Sequence, residues 1–236
     1  MKLRIALAQV NPTVGDLAAN AALVRENFKS AQEAGAHIVV FPEMVLTGYP
    51  VEDLALRPSF QIASQNALAE LAKSLTGKSV AIVGYLDQVD GAPQNMVAVI
   101  SDGVVSARYA KCHLPNYGVF DEFRNFVPGD KTLVVRIHGV DVGIAICEDL
   151  WIDGGITSQL AARKPGLVIV PNGSPYERNK DDVRLALVSK RARQASAPLV
   201  YVNMTGGQDD LVFDGDSIVV GADGAVIARA PQFEDG

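Results

Sequence analysis

The sequence predicts a layered α/β fold with mixed sheets. Two strand–helix–strand passages, one on each side of the middle of the chain, call for parallel strands covered by helices. Three pairs of apolar runs joined by tight turns add antiparallel hairpins, which a strictly parallel doubly wound sheet does not need.

The elements follow in order. "LRIALAQV" (3–10) is apolar and β-branched enough for a first strand, and "NPTVGD" turns the chain, with Asp16 as a helix N-cap. The spacing of "LAANAALVRENFKSAQEAG" predicts a helix over 17–35 that stops at Gly35. "HIVVFP" (37–42) has the composition of a short buried strand. Residues 43–59 read as a long loop, followed by a helix over 60–75 and a strand "SVAIVGYL" over 79–86. "NMVAVISDGVVSARYAK" and "TLVVRIHGVDVGIAIC" each hold two apolar runs around a tight turn, and read as hairpins. Beyond Cys147 a helix is expected near 154–163, a strand over 166–171, a helix near 180–196, a strand over 198–204 and a last hairpin in "SIVVGADGAVIARA". No repeat, low-complexity tract or linker interrupts 1–236, so the chain reads as a single domain.

Bulk composition narrows the functional classes. Apolar residues make up 48% of the 236, enough for a large core, and the formal net charge is -6. Lys and Arg are not concentrated anywhere except "KRAR" (190–193), which reads as a solvated helix face, so nucleic acid and anionic membrane are not expected partners. Two cysteines, no CxxC and no Cys/His zinc spacing argue against a disulfide framework or a metal centre. No apolar run reaches spanning length and the start does not read as a signal peptide, so the expected location is the cytoplasm.

Three reactive side chains stand just past the ends of apolar strands: Glu43 after "HIVVFP", Lys111 after "VVSARYA" and Cys147 after "VDVGIAI". In open α/β sheets, sites gather outside the carboxyl ends of strands. Each residue alone is more often structural or solvated, and the joint placement is what suggests chemistry. A carboxylate can take the thiol proton, a thiolate can attack an amide carbonyl, and an ammonium can stabilise the oxyanion that forms. Glu148 and Asp149, directly after the cysteine, work against a thiolate, so the activation must come from elsewhere in the fold. A cysteine–histidine pairing is the competing scheme. Of three histidines, His113 is the one placed to take part, two residues from Lys111.

At these residues the sequence resembles a known family. "FPEMVLTGYP", "YAKCHLPNYGVFDE" and "GIAICEDLW" are similar to the three signature segments of the carbon–nitrogen hydrolase (nitrilase) superfamily. The resemblance implies Glu43 as base, Lys111 as oxyanion stabiliser, Cys147 as nucleophile, and Glu122 as a second glutamate that positions the lysine and the attacking water. It also implies a four-layer α-β-β-α sandwich, with subunits that commonly pair into homo-oligomers.

A narrower likeness runs through "LTGYPVEDLALRPSF", "LPNYGVFDEFRNF", "PNGSPYERNK" and "GGQDDLVFDGDS". These resemble the glutaminase domain of glutamine-dependent NAD synthetases. That likeness implies hydrolysis of L-glutamine to glutamate and ammonia without a cofactor. The ammonia would pass to a synthetase domain, in the same chain or another, that amidates deamido-NAD with ATP. Tyr117, Ser174 and Lys180 would contact the glutamine, Glu148 would face its α-ammonium, and Phe120 would line the pocket. The synthetase domain itself is not expected within residues 1–236. "TGGQDD" (205–210) lacks the serines of a pyrophosphatase loop and a helix behind it, so it is not expected to hold ATP. The alternative reading is a free-standing amidase or carbamoyl hydrolase of the same superfamily.

Overall fold

The computed structural model describes residues 2–178 and 180–236, with the backbone alone for 180–182. The first half runs β1 (Ile5–Leu7), α1 (Leu17–Glu33), β2 (Ile38–Val40), α2 (Pro58–Ser74), β3 (Val80–Val89), β4 (Ala92–Ser101) and β5 (Val104–Ala110). After α3 (Glu122–Asn125), the second half runs β6 (Leu133–Ile137), β7 (Val140–Ile144), α4 (Ile156–Ala162), β8 (Leu167–Pro171), α5 (Lys180–Ala195) and β9 (Leu199–Val202). It closes with β10 (Thr205–Gln208), β11 (Leu211–Asp214), β12 (Ile218–Val220) and β13 (Val226–Arg229).

One sheet has the order β1-β2-β3-β4-β5 and the other β13-β12-β9-β8-β7-β6. β1, β2 and β3 are parallel, as are β7, β8 and β9, and the remaining pairs are antiparallel. The sheets are therefore mixed. Period-two alternation gives each strand two faces. Ile38, Val40, Ile82, Val97 and Val99 of the first sheet join Val142, Ile144 and Ile169 of the second in a shared core. Val39, Phe41, Ala81, Val83 and Ala98 point the other way and pack under α1 and α2, through Val24, Phe28, Leu68 and Leu71. Leu160 and Val188 bring α4 and α5 onto the second sheet. The order of layers is α-β-β-α.

Several boundaries differ from the sequence reading. The loop 43–59 contains a short 3-10 turn, Glu52–Leu56, and α2 starts two residues early because Pro58 suits the first turn of a helix. β3 extends to Val89 and pairs along its whole length with β4, so the first hairpin is a three-stranded meander. The "TGGQ" segment is β10 of a hairpin with β11, with no helix behind it. "KRAR" is only partly a solvated face: Arg191 is buried and donates to the carbonyls of Leu150 (2.6 Å) and Trp151 (3.1 Å). Helical periodicity turned Arg191 and Ala192 inward. Among the described residues, no helix is long and apolar enough to cross a membrane.

Candidate active site

The topology brings the three strand ends together. β5 is antiparallel to β4, which is antiparallel to β3. β5 therefore points the same way as β2 and β3, and Glu43 and Lys111 leave the same edge of the first sheet. Cys147 leaves β7 of the facing sheet. The chain after β2 passes tightly under β3: a Cβ on Gly84 would lie 2.2 Å from the Met44 nitrogen, so only glycine fits there.

Lys111, Glu43 and Glu122 form a buried network. Lys111 Nζ donates to Glu43 Oε1 at 2.7 Å and to Glu122 Oε1 at 2.9 Å. Asn95 Nδ2 donates to the same Glu43 oxygen at 2.7 Å, and the Gly173 N–H donates to Glu43 Oε2 at 2.8 Å. Tyr49 Oη donates to Glu122 Oε1 at 2.8 Å. Burial opposes the charge on Lys111, but Glu122 and Glu43 outweigh it and hold the ammonium well above its usual value. A charged lysine in a dry site is what a developing oxyanion requires.

Burial pushes Glu122 up to about 7, against the pull of Lys111. An acid whose folded value exceeds its unfolded one binds its proton more tightly when folded. Its contribution to stability is therefore present below about 4.5 and is lost as pH rises toward 7. Glu122→Gln removes this titration. Relative to the variant, the wild-type Tm is expected to drop by a few degrees between pH 4.5 and 7.5. A constant difference across that window would show that Glu122 does not titrate there.

Cys147 is buried and opens a 3-10 turn, Cys147–Leu150, with φ at 40°. Its thiol makes no hydrogen bond among the described residues and is held well above its usual value, first by burial and then by Glu43, against Lys111. A thiol in that state is protonated at rest, so attack requires a base. The histidine alternative loses its support here: His113 Nδ1 faces Asp149 Oδ1 at 2.9 Å, and no hydrogen bond joins it to Cys147. Its ring was captured by an acid two positions past the cysteine.

The thiol lies at a cavity of about 240 Å³ lined by Tyr117, Phe120, Glu148, Trp151, Ser174 and Arg178, among others. Tyr117 Oη donates to Glu148 at 2.9 Å, and its ring meets Phe120 edge to face at 5.6 Å. Burial raises the Glu148 carboxyl. Ser174 is pinned by Asn203 (2.8 Å from the Ser174 nitrogen to Oδ1) and by Arg184, which donates to the Ser174 carbonyl at 2.9 Å. Arg184 is itself buried against Asp214 at 2.7 Å. The side chain of Lys180 lies outside the described residues, and so does its expected contact. A larger groove of about 550 Å³ beside α1 is lined by Arg25, Glu26 and Lys29, with Ser74 and Thr76 and no cysteine. Among the described residues no cluster of three or more His, Cys, Asp or Glu side chains is placed to hold a metal ion.

Residues of this site that were not singled out from sequence include Tyr49, Asn95, Gly173 and Arg178. Tyr49 lies inside "FPEMVLTGYP", and Asn95 opens an apolar run, which is a weak signal of a buried amide with a partner. Gly173 carries a clearer one. A Cβ there would meet the Tyr49 ring at 2.7 Å and Glu43 Oε2 at 3.3 Å, so its backbone can reach the carboxylate only without a side chain.

The carbon-nitrogen hydrolase family pattern matches residues 4–236. A glutamine-dependent NAD(+) synthetase of Xylella fastidiosa is 44% identical over 236 residues, which are 99% of this chain and 43% of that protein. The chain thus spans less than half the length of this relative. The structure of a glutamine-dependent NAD+ synthetase from Acinetobacter baumannii, in complex with ADP, superposes with a TM-score of 0.95 at 39% identity, covering 99% of this chain and 44% of the other. A variant of an amidase from Nesterenkonia sp., with the acetamide moiety of fluoroacetamide added covalently at its active site cysteine, gives a TM-score of 0.87 at 26% identity, covering 99% and 88%.

Proposed function

The chain belongs to the carbon-nitrogen hydrolase family, and from that premise we propose that it hydrolyses the side-chain amide of L-glutamine through a thioester on Cys147. The observation that carries this reading is the buried Glu43–Lys111–Glu122 network beside a cysteine that opens on a pocket bearing both signs of charge. The 44% identity to a glutamine-dependent synthetase supports the choice of glutamine.

The steps follow from the residues. Glu43 takes the thiol proton as Sγ bonds to the amide carbon. The carbonyl oxygen becomes an oxyanion beside Lys111 Nζ. The C–N bond breaks, and ammonia leaves with the proton that Glu43 held. Water then attacks the thioester, again losing a proton to Glu43, and glutamate departs as the thiol is restored. No cofactor enters. Tyr117, Phe120 and Ser174 shape the pocket, and Glu148 faces the α-ammonium. Lys180 and Arg178 stand on the segment that would meet the α-carboxylate. In the setting of the longer relatives, the ammonia would serve an ATP-dependent synthetase domain that amidates deamido-NAD. On this reading residues 1–236 form the amidotransferase domain of such a system.

The test is peptide mass spectrometry of acid-quenched enzyme after mixing with glutamine. A γ-glutamyl adduct on Cys147 is expected. If acetamide or propionamide instead gives the higher kcat/KM and glutamine leaves no adduct, the chain is an amidase of the kind found in Nesterenkonia sp.

A further inference from the structure

Asp149 takes no part in the steps above, yet its carboxylate is fully buried and heavily bonded. Oδ2 accepts from the Ile146 N–H at 3.0 Å and from Tyr109 Oη at 2.7 Å. Oδ1 accepts from the N–H groups of Cys112 (3.1 Å) and His113 (2.9 Å) and faces His113 Nδ1 at 2.9 Å. Two chain segments therefore meet on one carboxylate. Residues 109–113 continue from the end of β5 in the first sheet and contain Lys111. Residues 146–149 continue from the end of β7 in the second sheet and contain Cys147.

The cysteine needs such a fixture. A φ of 40° at Cys147 is a left-handed conformation that costs a residue with a Cβ about 1–2 kcal/mol. It persists only where the surroundings over-determine it. Asp149 closes the turn in both directions, since its own N–H donates to the Ile146 carbonyl at 2.9 Å. The opposite oxygen holds the lysine segment. A buried carboxylate that lost either set of donors would be left with uncompensated charge, so the two segments are locked to one spacing.

We infer that Asp149 is a positioning residue that staples the nucleophile turn of one sheet to the lysine segment of the other, and so sets where the Cys147 thiol stands relative to Lys111 and Glu43. This rests on the cysteine–lysine–glutamate reading above but not on glutamine being the substrate. The simpler account is that Asp149 only caps its own turn. The two accounts differ at Tyr109 and His113, whose side chains hold the carboxylate from the lysine side and leave the Ile146 bond intact.

The experiment uses the whole chain and three variants: Asp149→Asn, Tyr109→Phe and His113→Ala. Iodoacetamide alkylation of Cys147 is followed across pH by peptide mass, which separates it from Cys112. Glutamine kcat, KM and Tm are measured in parallel. A misplacement near 1 Å costs on the order of a hundredfold in rate. Asp149→Asn is accordingly expected to lower kcat by about ten- to a hundredfold with KM within about twofold, and to slow alkylation at least about tenfold. Tyr109→Phe and His113→Ala are expected to slow both several-fold. If Asp149→Asn does not fold, these two decide. Wild-type kcat and alkylation in both would reduce Asp149 to a turn cap. Faster alkylation with lowered kcat would mean general loosening, and would also overturn the inference. If the wild type does not turn over glutamine, the proposed substrate fails while the alkylation arm still reads the staple.

Discussion

Cys147→Ala is expected to abolish ammonia release from glutamine and to leave the fold standing. On the proposed scheme the thiol is the nucleophile, and without it Glu43 has no proton to take and Lys111 no oxyanion to stabilise. Loss of the nucleophile from a unit that acts together lowers kcat by on the order of 10⁵ or more. The cost in stability is small. Sγ makes no hydrogen bond among the described residues, and alanine meets the same backbone strain at φ 40° as cysteine does. Removing one methyl-sized atom from a packed site costs about 1 kcal/mol. The outcome is read by glutamate release together with a thermal melt. Turnover that persists with the melt unchanged would remove the cysteine from the mechanism.

Lys111→Met has the second largest effect, on activity and stability together. Methionine keeps the apolar stem but loses the charge that Glu43 and Glu122 share at 2.7 and 2.9 Å. Removal of an oxyanion donor costs about a hundred- to a thousandfold in kcat. Taking one partner from a buried ion pair costs about 3–5 kcal/mol, because the other charge is left unpaired. Here two carboxylates are left. Without the ammonium nothing opposes the burial that already raises the Glu122 carboxyl, so the loss is smallest at acid pH and grows as pH rises past the carboxylate range. Denaturant titrations at pH 4 and pH 8 measure this. Equal destabilisation at both would show that the network carries no net charge imbalance, and an unchanged kcat with raised KM would assign Lys111 to binding.

Much of the fold could be read along the chain. The β-α-β passages and the hairpins come from local signals: alternation, helical spacing, a capping Asp16 whose side chain accepts from the Ala19 N–H at 2.9 Å, and Gly35 at a helix end. The errors fall where tertiary pairing extends or cuts an element. β3 runs to Val89 because β4 supplies partners along its whole length, and β1 is confined to Ile5–Leu7, the three residues that pair with Ile38–Val40 of β2. The inward turn of Arg191 has the same cause, since its partners are carbonyls about forty residues away in sequence.

The candidate site divides in the same way. Glu43, Lys111 and Cys147 were visible as reactive side chains at strand ends, and the family likeness added Glu122, Tyr117, Phe120, Glu148 and Ser174. What joins them was not visible. Asn95 and Gly173 hold the two oxygens of Glu43, Tyr49 holds Glu122, and Asp149 ties His113 away from the thiol. Each of these bonds crosses more than thirty positions.

The sequence by itself determined which elements form and which reactive groups stand at their ends, because propensity, alternation and capping act over a few residues. The tertiary structure decided the protonation of the site and the posture of its nucleophile. Those depend on burial and on donors brought from distant segments: a lysine kept charged by two carboxylates, a thiol kept protonated by burial and by Glu43, and a carboxylate at Asp149 shared between two sheets.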